Sequence, residues 1–438
     1  MIVESPIIFS HIRLFIFALI ISVYCALLYS MISCQYNSDF TSFYSSALAA
    51  RQGNNPYQTM LISFLPIKAQ SYINLNPPII LLLFYPLTYF SYPVALNIWL
   101  VLSIILGFIG AWFTFNIAFS QNFIKKNWLS LYAAYLFFFF TLICLSTNQV
   151  GTILLLCLML GYHFYIQNED YPTGILWGFI IGLKLFPGLL LFFVLRQNRM
   201  KLFAIMLVTI AFCFLIPLLV YGTTIYNQFY NAMSGIEWYE NPWNASVLAF
   251  IHRIFVEIQY IDWIIPTYII VLFVSLVGYL WSLTANGNRD NINHQPFCLT
   301  LVMMLILSPL GWVYYFPILL FPLMLSWASI MKEKEQQSPS AKIWLTSLFL
   351  LNFPTASITS MQAVRYNDKT QLIPFYFLGL VTLIYLLTTK KKYLSGNNDV
   401  IIDNTKSSFM LITFFIMTFS FIIPSTGFLL RLSRACVY

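Results

Sequence analysis

The chain has 438 residues, of which 60% are hydrophobic and only 8% charged, and its mean hydropathy is +0.79. A soluble domain carries roughly 25% charged residues, so this composition excludes one and points to an all-α polytopic membrane protein. The net charge of +8 reads as the lysine and arginine excess of cytoplasmic loops and implies no nucleic acid partner.

A helix crosses ~30 Å of hydrocarbon with about 20 residues, and about thirteen apolar runs approach that length. In chain order they are 12–31, 75–90, 94–119, 128–145, 150–166, 173–195, 202–221, 263–283, 297–307, 312–331, 343–360, 372–388 and 409–430. Alternating these crossings places Arg13, the Arg196, Arg199, Lys201 cluster, the 332–342 segment and Lys390 to Lys392 on one side, the cytoplasmic one by the positive-inside rule. Lys125 and Lys126 then fall on the outer side, with the two long loops 32–74 and 222–262. The outer acids are Asp39, Glu169, Asp170, Glu237, Glu240, Glu257, Asp262 and Asp368. The seven cysteines lie singly, with no metal-ligand or redox spacing, and read as packing residues. No metal site and no cofactor is expected.

The first outer loop opens on Asp39. Phe40, Phe43, Tyr44, Ala47 and Leu48 follow at helical spacing, which predicts a short amphipathic helix in the membrane interface, ended by Gly53-Asn54-Asn55-Pro56. At the head of that helix Asp39 is either an N-cap or a carboxylate shielded enough to act as a general base. Lys184 falls mid-span, about eleven residues or ~16 Å from the helix end, which strains snorkelling and favours a polar cavity or an anionic ligand. Asn148 and Gln149, at the head of another run, either line such a cavity or bond between helices. In the second outer loop, Arg253 suits a phosphate clamp or a headgroup contact. Glu237 and Glu240, among Trp238, Tyr239 and Trp243, suit either a sugar or the membrane rim.

Several segments in order resemble glycosyltransferase family 87 of the GT-C superfamily, whose members include polyprenyl-phosphate-mannose-dependent α-1,2-mannosyltransferases. They are Asp39-Phe40 with Tyr44, Gly53 and Pro56-Tyr57; Asn76-Pro77-Pro78; Gln149; Lys184 with Pro187; Asn244 with Ser246 and Arg253; and Ser308-Pro309 with Trp312. Two departures stand out: Asn148 and Gly151 replace a glycine and an asparagine around Gln149, and Tyr314 and Tyr315 stand where a histidine often follows the tryptophan.

The resemblance implies a GT-C-type bundle of about 12–13 spans, with short interfacial helices in its outer loops. It implies a catalytic module over residues 1–331 and further helices of unassigned role over 332–438. The implied reaction is an inverting transfer of a hexose, mannose by preference, from polyprenyl phosphate to a lipid or glycan acceptor at the outer face of a bacterial cytoplasmic membrane. Asp39 would be the base, and Lys184, Arg253 and Gln149 would bind the donor phosphate or lipid. Tyr44, Tyr57, Asn76, Asn244, Ser246, Trp312 and Tyr314 are pocket candidates. A transporter or flippase of lipid-linked or small solutes is the alternative, with Lys184 and Asn148-Gln149 lining its path.

Overall fold

Backbone polar groups in hydrocarbon must be satisfied internally, and helices carry nearly all of this chain. The computed structural model describes residues 6–33, 39–59, 61–62, 69–235, 239, 241–283, 292–332, 338–354, 374–389, 394, 396 and 407–435. Helix α1 (Pro6–Ser33) runs the length of the bundle, and α2 (Asp39–Arg51) and α3 (Ile79–Phe84) stay at the end it reaches. Helix α4 (Tyr92–Ala118) returns, and α5 (Gln121–Phe137) and α6 (Phe139–Ser146) form one path bent by 58°. Next come α7 (Gly151–Ile166), α8 (Asp170–Leu183), α9 (Leu189–Arg196), α10 (Met200–Tyr221), α11 (Thr224–Ser234) and α12 (Val247–Glu257). The chain continues through α13 (Ile264–Ser282), α14 (Gln295–Ile306), α15 (Leu320–Lys332) and α16 (Pro339–Asn352) to the helices Phe375–Thr389 and Ser407–Ala435.

Five described helical stretches are long and apolar enough to span a bilayer: Ile12–Ile32, Tyr92–Ala118, Met200–Tyr221, Ile261–Ser282 and Val313–Lys332. The bent α5–α6 path makes a sixth, and shorter apolar helices fill the bundle between them. The chain is therefore an all-α polytopic membrane protein, apart from a small ribbon in the first loop that pairs Leu61 with Gln70 and Ile62 with Ala69.

Contacts fix which residues share an end of the bundle. Arg13 donates to the Lys126 carbonyl at 3.2 Å, Arg196 to Leu283 O at 3.0 Å, and Arg199 to Tyr165 O at 2.7 Å. Arg199 also forms an ion pair with Asp170 at 2.5 Å. At this same end the His294 amide donates to Leu394 O at 3.0 Å, while its ring meets the Tyr162 hydroxyl at 2.8 Å. Lys125, Lys126, Glu169 and Asp170 thus lie with the arginine cluster, not with Asp39, which corrects the sequence-based placement.

Two apolar runs account for the correction. The 75–90 run forms only α3 and a 3-10 turn, Tyr85–Tyr89, against α2, and crosses nothing. The 173–195 run turns back on itself: α8 ends at Lys184, whose backbone is extended (φ −144°, ψ 126°), Phe186–Gly188 forms a 3-10 turn, and α9 descends beside α8. Trp177 meets Phe193 across this hairpin with ring centroids 6.1 Å apart. Removing two crossings leaves the parity beyond Arg196 unchanged, so the arginine cluster stays at the end of Arg13.

Helix α8 packs on α10 through Gly174, Gly178 and Gly182, one every four residues, where added Cβ atoms would lie 2.6 Å from Ile205 Cγ2, 2.6 Å from Thr209 Cβ and 2.4 Å from Cys213 Cβ. Such close approach is how apolar helices gain dispersion contact where no water is displaced. The helices after residue 332 join the same bundle: Asn352 Oδ1 accepts the Phe139 amide at 3.1 Å at the α5–α6 break, and Phe250 of α12 stacks on Phe377 at 4.3 Å.

A candidate active site at one end of the bundle

Helix α2 is not the half-exposed interfacial helix that its spacing predicts. Phe40, Thr41, Ser42, Phe43, Tyr44, Ser45, Ser46 and Ala47 are all buried. Phe40 lies among Tyr44, Phe84, Tyr92 and Trp99, Thr41 shares a 2.8 Å hydrogen bond with Tyr92, and Ser42 donates to Tyr72 O at 2.9 Å. The helix stops as the sequence indicates. Gly53 adopts φ +76°, its amide donates to Ala50 O at 3.2 Å and that of Asn54 to Ala49 O at 2.9 Å, the two bonds of a Schellman motif. Asp39 is the first residue of the helix itself, and it lines a cavity of about 830 Å³.

Three breaks in helical structure meet at this cavity. Besides the head of α2, the turn between α6 and α7 brings Gln149. There Asn148 takes φ +56°, with its amide on Leu145 O and that of Gln149 on Cys144 O, a second Schellman motif in which asparagine fills the usual glycine place. Trp99 Nε1 holds the turn by donating to Asn148 O at 2.9 Å. The tip of the α8–α9 hairpin brings Lys184. A fourth segment, the 3-10 run Val313–Leu319, supplies Tyr314 and Tyr315. That run seats directly on the start of α7, where a Cβ on Gly151 would come 2.4 Å from Tyr314 O and 2.8 Å from Cys144 Sγ. Gly151 is therefore the position at which only a hydrogen fits.

Asp39 is the only carboxylate among the described lining residues. Burial pushes its carboxyl up to about 6, although a hydrogen bond from Gln149 and the Lys184 charge act in the opposite direction. Lys184 donates to the Tyr315 hydroxyl, and its ammonium lies 4.8 Å from the centroid of that ring. The acid and the cation feel each other's charge but do not close to ion-pair distance; among the described residues Arg199 and Asp170 do. A carboxylate that is basic for its kind thus faces the same space as a fixed ammonium. The rest of the lining includes polar side chains, Ser42, Asn76, Thr147 and Asn241 among them, and apolar ones: Leu185 next to Lys184, Leu189 and Phe192 from α9, Leu272 and Leu276 from α13 and Met304 from α14.

Of the residues singled out in the sequence, Asp39, Asn76, Gln149, Lys184, Trp312 and Tyr314 line this cavity. Tyr44 and Tyr57 do not: their hydroxyls donate to Phe90 O at 2.8 Å and to Asn76 O at 2.9 Å, the second bracing a lining residue from behind. Asn244 and Ser246 form a clasp. Asn244 Nδ2 donates to Pro309 O at 3.1 Å, its Oδ1 accepts the amides of Gly311 at 2.9 Å and Ser246 at 3.2 Å, and Ser246 Oγ donates to Pro309 O at 3.1 Å. The clasp fixes the approach of Trp312, which stacks on Tyr314 at 5.5 Å.

Arg253 is buried beneath the clasp, donating through Nη1 to Asn241 O at 3.2 Å and Asn244 O at 3.1 Å; burial pushes its guanidinium down to about 10. It is not among the lining residues. Glu237, Glu240, Trp238 and Asp368, and the lysines 390–392, lie outside the described residues. Tyr315 is the contact that sequence reasoning passed over in favour of its neighbour, because a short 3-10 run has no periodicity from which a facing side chain can be chosen.

The bundle thus places an acid, Asp39, and a cation, Lys184, on one cavity at its end. Residues 74–309 match glycosyltransferase family 87, more than half of the chain, and the chain belongs to that family. The matched stretch contains Gln149, Lys184, Asn244, Ser246 and Arg253, whereas Asp39 and Tyr314 lie outside it. No curated protein and no solved structure matches the chain.

Proposed function

We propose that this glycosyltransferase moves a hexose, mannose on the family resemblance, from polyprenyl phosphate to a hydroxyl of a lipid or glycan acceptor at the outer face of the cell membrane. The observation that carries the reading is the pairing in one cavity of Asp39, with its raised affinity for a proton, and Lys184, which no carboxylate among the described residues neutralises within ion-pair distance. The apolar side chains that α9, α13 and α14 add to the lining support a lipid-borne donor, since a nucleotide would leave them unmatched.

In this mechanism the acceptor oxygen attacks the anomeric carbon and gives its proton to the Asp39 carboxylate. The bond from the anomeric carbon to phosphate breaks, and its electron pair leaves on the phosphate oxygen, toward Lys184. A β-linked donor yields an α-glycoside and polyprenyl phosphate; Asp39 then releases its proton to solvent. Charge appears at the departing phosphate, so a cation already in place there stabilises the transition state more than the ground state. Gln149 lines the cavity with Asp39 and favours its ionised form, and the helices beyond residue 332 buttress the α5–α6 break through Asn352.

The test is transfer by the purified full chain in proteoliposomes, with radiolabelled polyprenyl-phosphate hexoses and nucleotide hexoses offered in parallel. The expected result is an α-linked product from the lipid donor alone and its near-complete loss in Asp39→Asn. Transfer from nucleotide sugars only, or an undiminished rate in Asp39→Asn, would overturn the reading.

A further inference from the structure

We propose that Tyr315 is a direct ligand of the departing phosphate, donating its hydroxyl proton to a phosphate oxygen while its own oxygen accepts from Lys184. The inference rests on the reading above that the cavity takes a polyprenyl-phosphate sugar.

With Lys184 in its charged form, as it is beside a phosphate anion, the donor chemistry of the pair fixes the direction of this hydrogen bond. An ammonium has donors only, so the phenol oxygen facing Lys184 Nζ must accept, and the phenol hydrogen must point elsewhere. No acceptor for that hydrogen is found among the described residues, although Tyr315 is buried and lines the cavity. The ring is held firmly. Phe186, from the turn just past Lys184, stacks on it with centroids 5.0 Å apart, Tyr314 meets it edge-on at 4.9 Å, and its amide donates to Trp312 O at 3.1 Å. The backbone turn that presents Lys184 therefore also supplies the ring that aligns Tyr315. Lys184 and Tyr315 form one unit, built from elements 131 residues apart.

The chemistry suits a leaving group whose charge grows. In the donor the phosphate is a diester with one negative charge; as the bond to sugar breaks it becomes a monoester with a second. A phenol polarised by an adjacent cation is a stronger donor than a free one, and a neutral donor adds no repulsion between cations in a confined site. Aimed at the oxygen on which charge develops, it contributes most during departure.

Tyr315→Phe keeps the ring, its stacking and the cation–π contact, and removes only the hydroxyl. The purified full chain is assayed in nanodiscs, with polyprenyl phosphate and polyprenol of equal chain length as competing ligands. Loss of a hydrogen bond to a charged group should weaken inhibition by polyprenyl phosphate about ten- to a hundredfold. Inhibition by the neutral polyprenol should stay as in wild type, and kcat should fall more than donor KM rises. Equal inhibition of variant and wild type by polyprenyl phosphate would overturn the role of Tyr315 and leave the donor assignment standing. A wild-type protein that binds neither lipid would overturn the donor assignment and this inference together.

Discussion

Two buried polar clusters lie side by side at the same end of this bundle, and they differ in one respect. In the clasp of Asn244, Ser246 and Arg253, the polar groups are occupied by the protein: the Asn244 amide makes bonds through both its oxygen and its nitrogen, and the Arg253 guanidinium bonds loop carbonyls. In the cavity, Asp39 and Lys184 face a common space without closing on each other. A buried polar group normally has its partner, because leaving one unmade costs about 1–3 kcal/mol. The clasp obeys that rule wholly within the chain; in the cavity Lys184 has Tyr315 as its partner, and the rest of its donor capacity and the Asp39 carboxylate face a shared space. Both clusters hold residue types that suggest phosphate or sugar binding from sequence. Their hydrogen-bond partners separate scaffold from site.

Mutations can break or sharpen this contrast. The largest effect is expected for Asp39→Asn, which should lower transfer about 10²- to 10⁴-fold, the usual contribution of general base catalysis, while helical content by circular dichroism stays unchanged. The same variant should be the more thermally stable protein at neutral pH. The Asp39 carboxyl is raised in the folded state from 3.8 to about 6, so the stability it contributes is fully present below pH 3.8 and is lost as pH rises through about 6. Activity runs the other way, because the base must be ionised: kcat/KM should fall about tenfold per pH unit below about 6, and that limb should vanish from the residual activity of Asp39→Asn.

Next in size is Gly151→Ala. It places a methyl group 2.4 Å from Tyr314 O and should cost about 1–3 kcal/mol through overpacking. Because the strain moves the Val313–Leu319 run, activity per folded molecule should fall at least about tenfold, the scale of a misplacement near 1 Å. Asn244→Ala leaves the Gly311 and Ser246 amides without their acceptor, so a stability loss of about 2–4 kcal/mol is expected in a denaturant titration. Turnover per folded molecule should fall far less than in Asp39→Asn, through the looser seat of Trp312 alone. The smallest catalytic effect belongs to Arg253→Met, with donor KM within about twofold of wild type and a stability loss of about 1–3 kcal/mol. A large rise in donor KM would move Arg253 from the clasp into the site.

Much of this was legible in the chain. Period and composition place most of the long helices, and Gly53 marks the end of α2 because a positive φ without a side-chain penalty is what a helix C-terminus needs. The reversal at Lys184 also had a signal, Pro187-Gly188, masked by the apolar residues on both sides that merge two short helices into one apparent span. The 75–90 run misled for the same reason: hydropathy measures an environment, and α3 with its 3-10 turn is buried by protein rather than by lipid. Thr41, Ser42, Ser45 and Ser46 likewise gave α2 a polar face in sequence, and the fold pairs three of those hydroxyls with Tyr92, Tyr72 O and Ser42 O.

By itself the sequence determined the membrane as solvent, the helical architecture and the residue types able to handle a proton and a phosphate, because composition and local periodicity act over short stretches of chain. Only tertiary structure decided which polar residues are satisfied by neighbours and which face open space. The partner of Lys184 lies 131 residues away, that of Asn352 lies 213 away, and no local rule reaches so far.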